Sequence, residues 1–321
     1  MPGRDPDAHE KVSTAFSRAP MGLAAPLVRV EVHLGTGLPA FALVGLPEAV
    51  VRESKERVRS ALVTSGFGFP QGRITVNLSP ADLPKEGGRF DLPIAVGILA
   101  ASGKLPARAL KRREFYGELS LGGELRETPK LLPALIEGSD AGREVILPFA
   151  NALEAALARH PKLRLASHLR EVYDALRGKA ELREAAGAAN AANVASPANP
   201  TNAANPVGPA DCPDLSGADF GPHPDLSEVR GQFAAKRALE LAAAGEHGLL
   251  MIGPPGAGKT LLAQRLPGLL PPLSPLESLQ VASLESAAGR RPSLGGRRPF
   301  RSPQHTASVA ALIGGGAMRP G

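Results

Sequence analysis

The 321-residue chain has no tryptophan, and aromatic residues make up only 4% of it. Its cores must therefore be built from Leu, Val, Ile and Ala. There is one cysteine, Cys212. A single cysteine excludes an internal disulfide and falls short of a cysteine-rich zinc site. No base stands near Cys212 in sequence, so an incidental loop residue is favoured over a reactive thiol. No run of about 18 apolar residues occurs, so no transmembrane helix is expected. The polar start, MPGRDPDAHEKV, has no apolar run of the kind a secretory signal needs. A cytoplasmic location is the default expectation. The last absence is local. After Thr260 there is no Asp and no Lys, and the only acids are Glu277 and Glu285.

What fills that stretch is arginine. Seven Arg follow Thr260, so it carries 7 − 2 = +5 of a net +6 for the chain. GRRPSLGGRRPFR (289–301) holds five Arg and no acid. Arg grips phosphate oxygens through forked donors. Arg290, Arg291, Arg297, Arg298 and Arg301, with His305, are therefore candidate DNA contacts. The plain alternatives are a solvated insert or pairing with acids of a neighbouring subunit.

Periodicity divides the chain. LVRVEVHL (27–34) alternates as a half-buried strand does, and AFALVGLP (40–47) is a second strand. EAVVRESKERVRSALVTSG (48–66) has helical spacing and a stop at Gly66. RITVNL (73–78) is a third strand, and DLPIAVGILAASG (91–103) an apolar helix. EFYGELSLGGELRE (114–127) reads as strand, Gly-Gly turn and strand; LLPALIEG begins another helix, and REVILP (143–148) is another strand. Strands alternating with helices predict an α/β or α+β domain over 1–180. Residues 181–220 are Ala, Asn and Pro with almost no large apolar side chain, the composition of a disordered linker. A second domain is expected over 221–321.

That second domain contains GPPGAGKT, which matches G-x-x-x-x-G-K-[ST] at every constrained position. Gly253, Gly256 and Gly258 let backbone amides turn in around phosphate oxygens, with Pro254, Pro255 and Ala257 completing the loop. Lys259 is placed to reach the β- and γ-phosphates of ATP, and Thr260 to offer its hydroxyl to Mg²⁺. LLMI (249–252) is expected to be the strand leading in, and KTLLAQRL the helix leading out. Hydrolysis needs one thing more, a carboxylate at the end of a second strand. Glu277 and Glu285 lie instead in SPLESLQVASLES, a helical pattern with no strand before it. The residues given thus hold a nucleotide-binding loop without a visible catalytic carboxylate. A domain around such a loop usually needs about 150 residues, and only 61 follow Thr260 (321 − 260).

Four stretches together resemble the ComM/YifB family of magnesium-chelatase-like AAA+ proteins. They are GLPAFALVGLPEAVVRESKERVRSAL, ITVNLSPADLPKEGGRFDLPIAVGILAASG, DLSEVRGQFAAKRALELAAAGEHGLLMIGPPGAGKTLLAQRLPGLLPPL and RPFRSPQHTASVAALIGGG. The resemblance implies an N-terminal α+β domain of ribosomal protein S5 domain 2-like (Lon-like) fold, followed by a P-loop AAA+ domain with an insert in its second helix. It implies ATP and Mg²⁺ as cofactors, a homo-hexameric ring, DNA as partner, and branch-migration helicase activity in natural transformation. It also implies that the turn at Val229, Arg230 and Gly231 lies near the adenine. Two local departures are Gln304-His305, where the family has two histidines, and Val309, where it has an acid. The family's second-strand Asp-Glu, sensor residues, arginine finger and helical lid have no counterpart in these residues, so the expectation is a partial chain.

The Lon-like comparison raises peptidase chemistry, which requires a Ser–Lys pair. PKEGGRFDLPIA holds no serine, so Lys130 in ETPKLLP has no nucleophile there to activate. That turn is expected to be structural, with Gly87-Gly88 giving a tight path and Asp91 capping the helix after it. Two other readings stand beside the DNA motor: a chelatase-like ATPase that remodels a protein acceptor, and a non-catalytic nucleotide-binding fragment.

Overall fold

Alternation builds the first sheet. In β2 (Leu27–Gly35), Val28, Val30 and Val32 are buried while Arg29 and His33 are exposed. β4 (Arg73–Ser79) repeats the pattern with Ile74, Val76 and Leu78. The two strands pair antiparallel with Val30 opposite Leu78 and Val32 opposite Val76, so both apolar rows share one face. β1 (Val12–Arg18) joins antiparallel to β2, and β3 (Ala40–Val44) parallel to β4, giving the order β1-β2-β4-β3. A parallel pair needs a crossover, and α1 (Ala49–Thr64) supplies it. Gly66 then turns the chain at φ +80°, where a side chain would be strained. This computed structural model describes residues 12–44, 49–83, 85, 87–158, 160–185, 224–292, 294–303 and 306–308.

α2 (Asp91–Ala101) lies on that apolar face, and all its residues are buried. It has no polar stripe because it has no solvent side. Gly97 lets it approach closely: a Cβ there would lie 2.6 Å from Val32 Cγ2. The Ser13 hydroxyl donates to the Gly97 carbonyl at 2.7 Å and ties β1 to the helix.

A second sheet has the order β10-β9-β8-β5. β5 (Arg113–Phe115), β8 (Glu144–Pro148) and β9 (Leu163–Ala166) run parallel. The crossovers contain α3 (Leu132–Asp140) and α4 (Ala152–Ala158), and α5 (Leu169–Leu176) follows β9. The expected strand from 114 is interrupted at Gly117. Phe115 belongs to this sheet, while β6 (Glu118–Leu119) pairs only with β7 (Leu125–Arg126) in a hairpin. A Cβ on Gly117 would come within 2.7 Å of Leu125, so the break is sterically specified. The chain is still folded where the linker is expected to begin. β10 (Arg183–Glu184) pairs with β9, and Ala185 is buried. Residues 186–223, with Cys212, lie outside the described residues.

Between the sheets sits a buried charge network. Glu114 has no exposed surface and accepts from Arg18 Nε at 2.9 Å and Nη2 at 3.1 Å, and from the Tyr116 hydroxyl at 2.7 Å. Arg18 also donates to Glu137 at 2.7 Å, which ties β1 to β5 and α3. Burial, with the neighbouring Glu114 carboxylate, holds the Tyr116 hydroxyl well above its ordinary pKa, so it stays a donor.

The chain forms two compact units. The first is Met1–Cys212 with Leu279–Ser293, the second Pro213–Ser278 with Leu294–Gly321. In the second, a 3₁₀ turn (Leu226–Glu228) precedes α6 (Phe233–Gly245). The helix expected from KTLLAQRL is two short ones, α7 (Lys259–Ala263) and α8 (Leu266–Leu269), because Pro267 cannot extend the first. α9 (Pro275–Ala287) starts in a capping box: Glu277 accepts the Ser274 N–H at 2.8 Å, and the Ser274 hydroxyl accepts the Glu277 N–H at 3.3 Å. Within the first unit, Ser286 of α9 donates to Glu154 and accepts the Leu132 N–H at 3.3 Å. The expected strand at 249–252 is not formed. Leu250 and Ile252 are 83% and 88% exposed, and among the described residues no strand pairs with them. A strand exists only through a neighbour's ladder, so an apolar run by itself stays extended coil.

Candidate functional site

The loop 253–260 turns on two glycines. Gly256 has φ +80° and Gly258 φ +84°, and a Cβ at either would meet nothing within 4 Å. Backbone conformation, and not crowding, is what calls for glycine there. The Lys259 ammonium folds back over the loop and donates to the Gly253 and Pro254 carbonyls, each at 2.7 Å. Thr260 follows in the first turn of α7 and is exposed. Pro254, Pro255 and Ala257 complete the curve, with the Ala257 N–H reaching the Pro254 carbonyl at 3.4 Å.

The turn before α6 is brought to this loop. Val229 is buried, while Arg230 and Gly231 are exposed, Gly231 at φ +65°. Gln232 takes φ 57°, ψ 34° and starts the helix by accepting the Lys236 N–H at 2.9 Å. Its side-chain amide donates to the Ala257 carbonyl at 3.2 Å. Arg265 fastens the other end of the turn, donating to the Asp225 carbonyl at 2.9 Å and the Glu228 carboxylate at 2.7 Å. The Ser227 N–H is held at 2.7 Å by the Asp225 side chain, which caps the 3₁₀ turn. Sequence reading missed Gln232 and Arg265. Nothing in their spacing marks them, since only the fold carries them across 25 and 37 residues of chain to Ala257 and Glu228.

The arginine stretch is divided. Arg290 and Arg291 belong to the first unit, and Arg297, Arg298 and Arg301 to the second. Arg290, Arg291, Arg297 and Arg301 are exposed. Arg298 is committed inside its unit, donating to the Pro271 carbonyl at 2.9 Å and to Glu277 at 3.2 Å. His305 lies outside the described residues, as do Gln304 and Val309.

In the first unit, Asp91 does not cap α2. Its carboxylate is buried, taking Arg57 Nε at 2.7 Å and the Leu119 N–H at 3.2 Å. Burial pushes its carboxyl up to about 6, against the pull of Arg57. Gly87 turns at φ +72°, and a Cβ on Gly88 would strike Glu118 at 2.3 Å. The Lys85 ammonium is buried against the Pro80 and Leu83 carbonyls, at 2.5 and 3.2 Å. The described residues of the turn include no serine, threonine or cysteine. A groove of about 770 Å³ beside β10 sets Arg113, Arg164 and Lys179 against Glu144, Glu181 and Glu184, so it favours no sign of charge. Among the described residues no three His, Cys, Asp or Glu could hold a metal ion, and no helix is long and apolar enough to cross a membrane.

Known proteins bear on both units. Residues 30–151 match the family described as subunit ChlI of Mg-chelatase, and residues 225–321 match magnesium chelatase, subunit ChlI. Competence protein ComM of Haemophilus influenzae is 45% identical over 313 residues, covering 97% of this chain and 57% of that protein. Proteins named YifB from Salmonella typhimurium and Escherichia coli are 45% and 43% identical over 309 residues, covering 96% of this chain and 56% of theirs. The chain thus spans a little over half the length of these relatives. With both units matched and this identity sustained along nearly the whole chain, it belongs to the ComM/YifB family of magnesium-chelatase-like proteins.

Proposed function

We propose that the second unit binds ATP with Mg²⁺ through the loop 253–260, as part of an AAA+ motor. The observation that carries this is the Lys259 ammonium poised over a loop bent by two positive-φ glycines. The glycine amides of the loop take the phosphate oxygens. Lys259 exchanges its two carbonyl partners for the β- and γ-phosphates. Thr260 would hold Mg²⁺ together with those phosphates, since among the described residues no cluster of acids supplies a cage. Mg²⁺ neutralises charge on the phosphates. The turn at Val229 and Gly231, held beside the loop by Gln232, takes the base.

In a protein of its relatives' length this binding would drive a homo-hexameric ring along branched or single-stranded DNA, as a branch-migration helicase in natural transformation. The relative named a competence protein supports that reading, as do the exposed Arg290, Arg291, Arg297 and Arg301. The first unit, as a Lon-like, ribosomal protein S5 domain 2-like scaffold, would position the ring without chemistry of its own. A second reading is a chelatase-like ATPase acting on a protein. The internal commitment of Arg298 and the division of the arginines between units favour it.

Titration calorimetry of the chain with Mg·ATP tests the first claim. Wild type binds, and Lys259→Ala lowers affinity at least tenfold; equal binding by the two overturns it. For DNA, log K against log salt should be steep. Changing the exposed Arg297 and Arg301 to Ala should flatten it by about two contacts' worth. An unchanged slope sinks the DNA reading and leaves the protein-remodelling one.

A further inference from the structure

We infer that Gln232 is a positioning residue for the phosphate loop, setting its shape through the Ala257 carbonyl; this rests on the nucleotide-binding reading above. Gln232 sits in the left-handed region, at φ 57°, ψ 34°. That conformation is unfavourable for any residue with a Cβ, and glycine would hold it freely. What glycine would lack is a side chain, and this one spans 25 residues of sequence to donate to Ala257 at 3.2 Å. In a trans peptide the carbonyl and the following N–H point in opposite directions. Holding the Ala257 carbonyl toward Gln232 therefore aims the Gly258 N–H away from it. Gly258 is the positive-φ residue immediately before Lys259. The side chain thus orients one amide of the loop without touching a phosphate.

The turn that carries Gln232 is itself fixed. Arg265, buried, binds the Asp225 carbonyl, the Leu261 carbonyl at 2.8 Å and the Glu228 carboxylate. Leu261 is on α7, directly after the loop. The turn 225–232 is therefore tied at one end to the loop at Ala257 and at the other to the helix leaving it. Gln232 is the end of this clamp that reaches the loop backbone.

The test uses the 321-residue chain with two ligands, Mg·ATP and Mg·tripolyphosphate, and the variants Gln232→Met, Gln232→Glu and Gln232→Gly. Losing one net hydrogen bond should weaken binding about fivefold. Because the effect acts through the phosphate loop, both ligands should lose by the same factor. Gln232→Glu keeps the shape but presents an acceptor to a carbonyl, and should lose the most. Gln232→Gly removes the strained conformation, so its melting temperature should hold or rise while its affinity falls. A residue that serves only stability would lower both together, and that result overturns the inference. So does wild-type affinity in all three variants, or loss toward Mg·ATP alone, which would mark a base contact. If wild type binds neither ligand, the nucleotide reading falls and takes this one with it.

Discussion

Arg265 and Glu228 form a 2.7 Å ion pair, yet the two are unequal partners: the Arg side chain is 8% exposed and the Glu side chain 58%. The pair itself is screened by solvent and contributes little. The buried guanidinium matters more, because two backbone carbonyls depend on it. Arg265→Met keeps most of the stem and removes every donor. It should destabilise the second unit by about 2 kcal/mol. Glu228→Gln should change stability by less than about 0.5 kcal/mol. Denaturant unfolding followed in the second unit checks this; a larger effect from Glu228 than from Arg265 would reverse the assignment.

Gly258 should be intolerant for conformational reasons only. There is open space where its Cβ would go, but φ is +84°. Gly258→Ala should cost about 1 kcal/mol of stability or shift the loop to a new shape. Mg·ATP affinity should fall with it. Calorimetry beside thermal unfolding separates the two effects, and a variant unchanged in both contradicts the loop description.

Gly97 should be intolerant for the opposite reason. It has ordinary helical geometry, but a Cβ would meet Val32 Cγ2 at 2.6 Å. Gly97→Ala should cost about 1–3 kcal/mol by overpacking. Val32→Ala should cost about 2 kcal/mol by leaving a cavity. Together they should cost less than their sum, since the added methyl fills part of the space that is lost. A double-mutant cycle on chemical unfolding measures this, and strict additivity refutes the contact.

Asp91 gives a pH dependence of definite sign. Its carboxyl rises from 3.8 to about 6 on folding, so the folded chain holds this proton more tightly than the unfolded one. Its contribution to stability is therefore greatest below about pH 4 and falls as pH rises to about 6. Asp91→Asn cannot titrate. The stability of wild type relative to this variant should drop by about 2 kcal/mol between pH 4 and pH 7. Unfolding curves at four pH values suffice, and a gap that widens in favour of wild type with pH contradicts the assignment.

The elements that were legible in sequence are those whose burial follows a period. β2 and β4 alternate and α2 is apolar throughout, so their places could be read directly. The helical pattern of SPLESLQVASLES was readable too, and α9 forms there, but the capping box of Ser274 and Glu277 that starts it was not read. β9 and β10 were not legible, because four and two residues are too short for a period to emerge. The run at 249–252 shows the converse. Its composition is that of a strand, but strand formation is a property of pairs. At the candidate site, the loop was readable because its chemistry is consecutive. The clamp of Gln232 and Arg265 was not, because three of its partners are backbone carbonyls, and those of Ala257 and Asp225 are distant in sequence. Asp91 misled for a related reason: its partner Arg57 lies 34 residues away.

The Lys259 ammonium already has two oxygen partners, the carbonyls of Gly253 and Pro254. On the reading proposed for this loop, anion capture would be a substitution, in which neutral oxygens leave as charged ones arrive. The gain on capture is then set by the difference between a carbonyl and a phosphate oxygen, which favours multiply charged ligands over chloride or acetate. On the same reading the two carbonyls would take the lysine back when the anion departs.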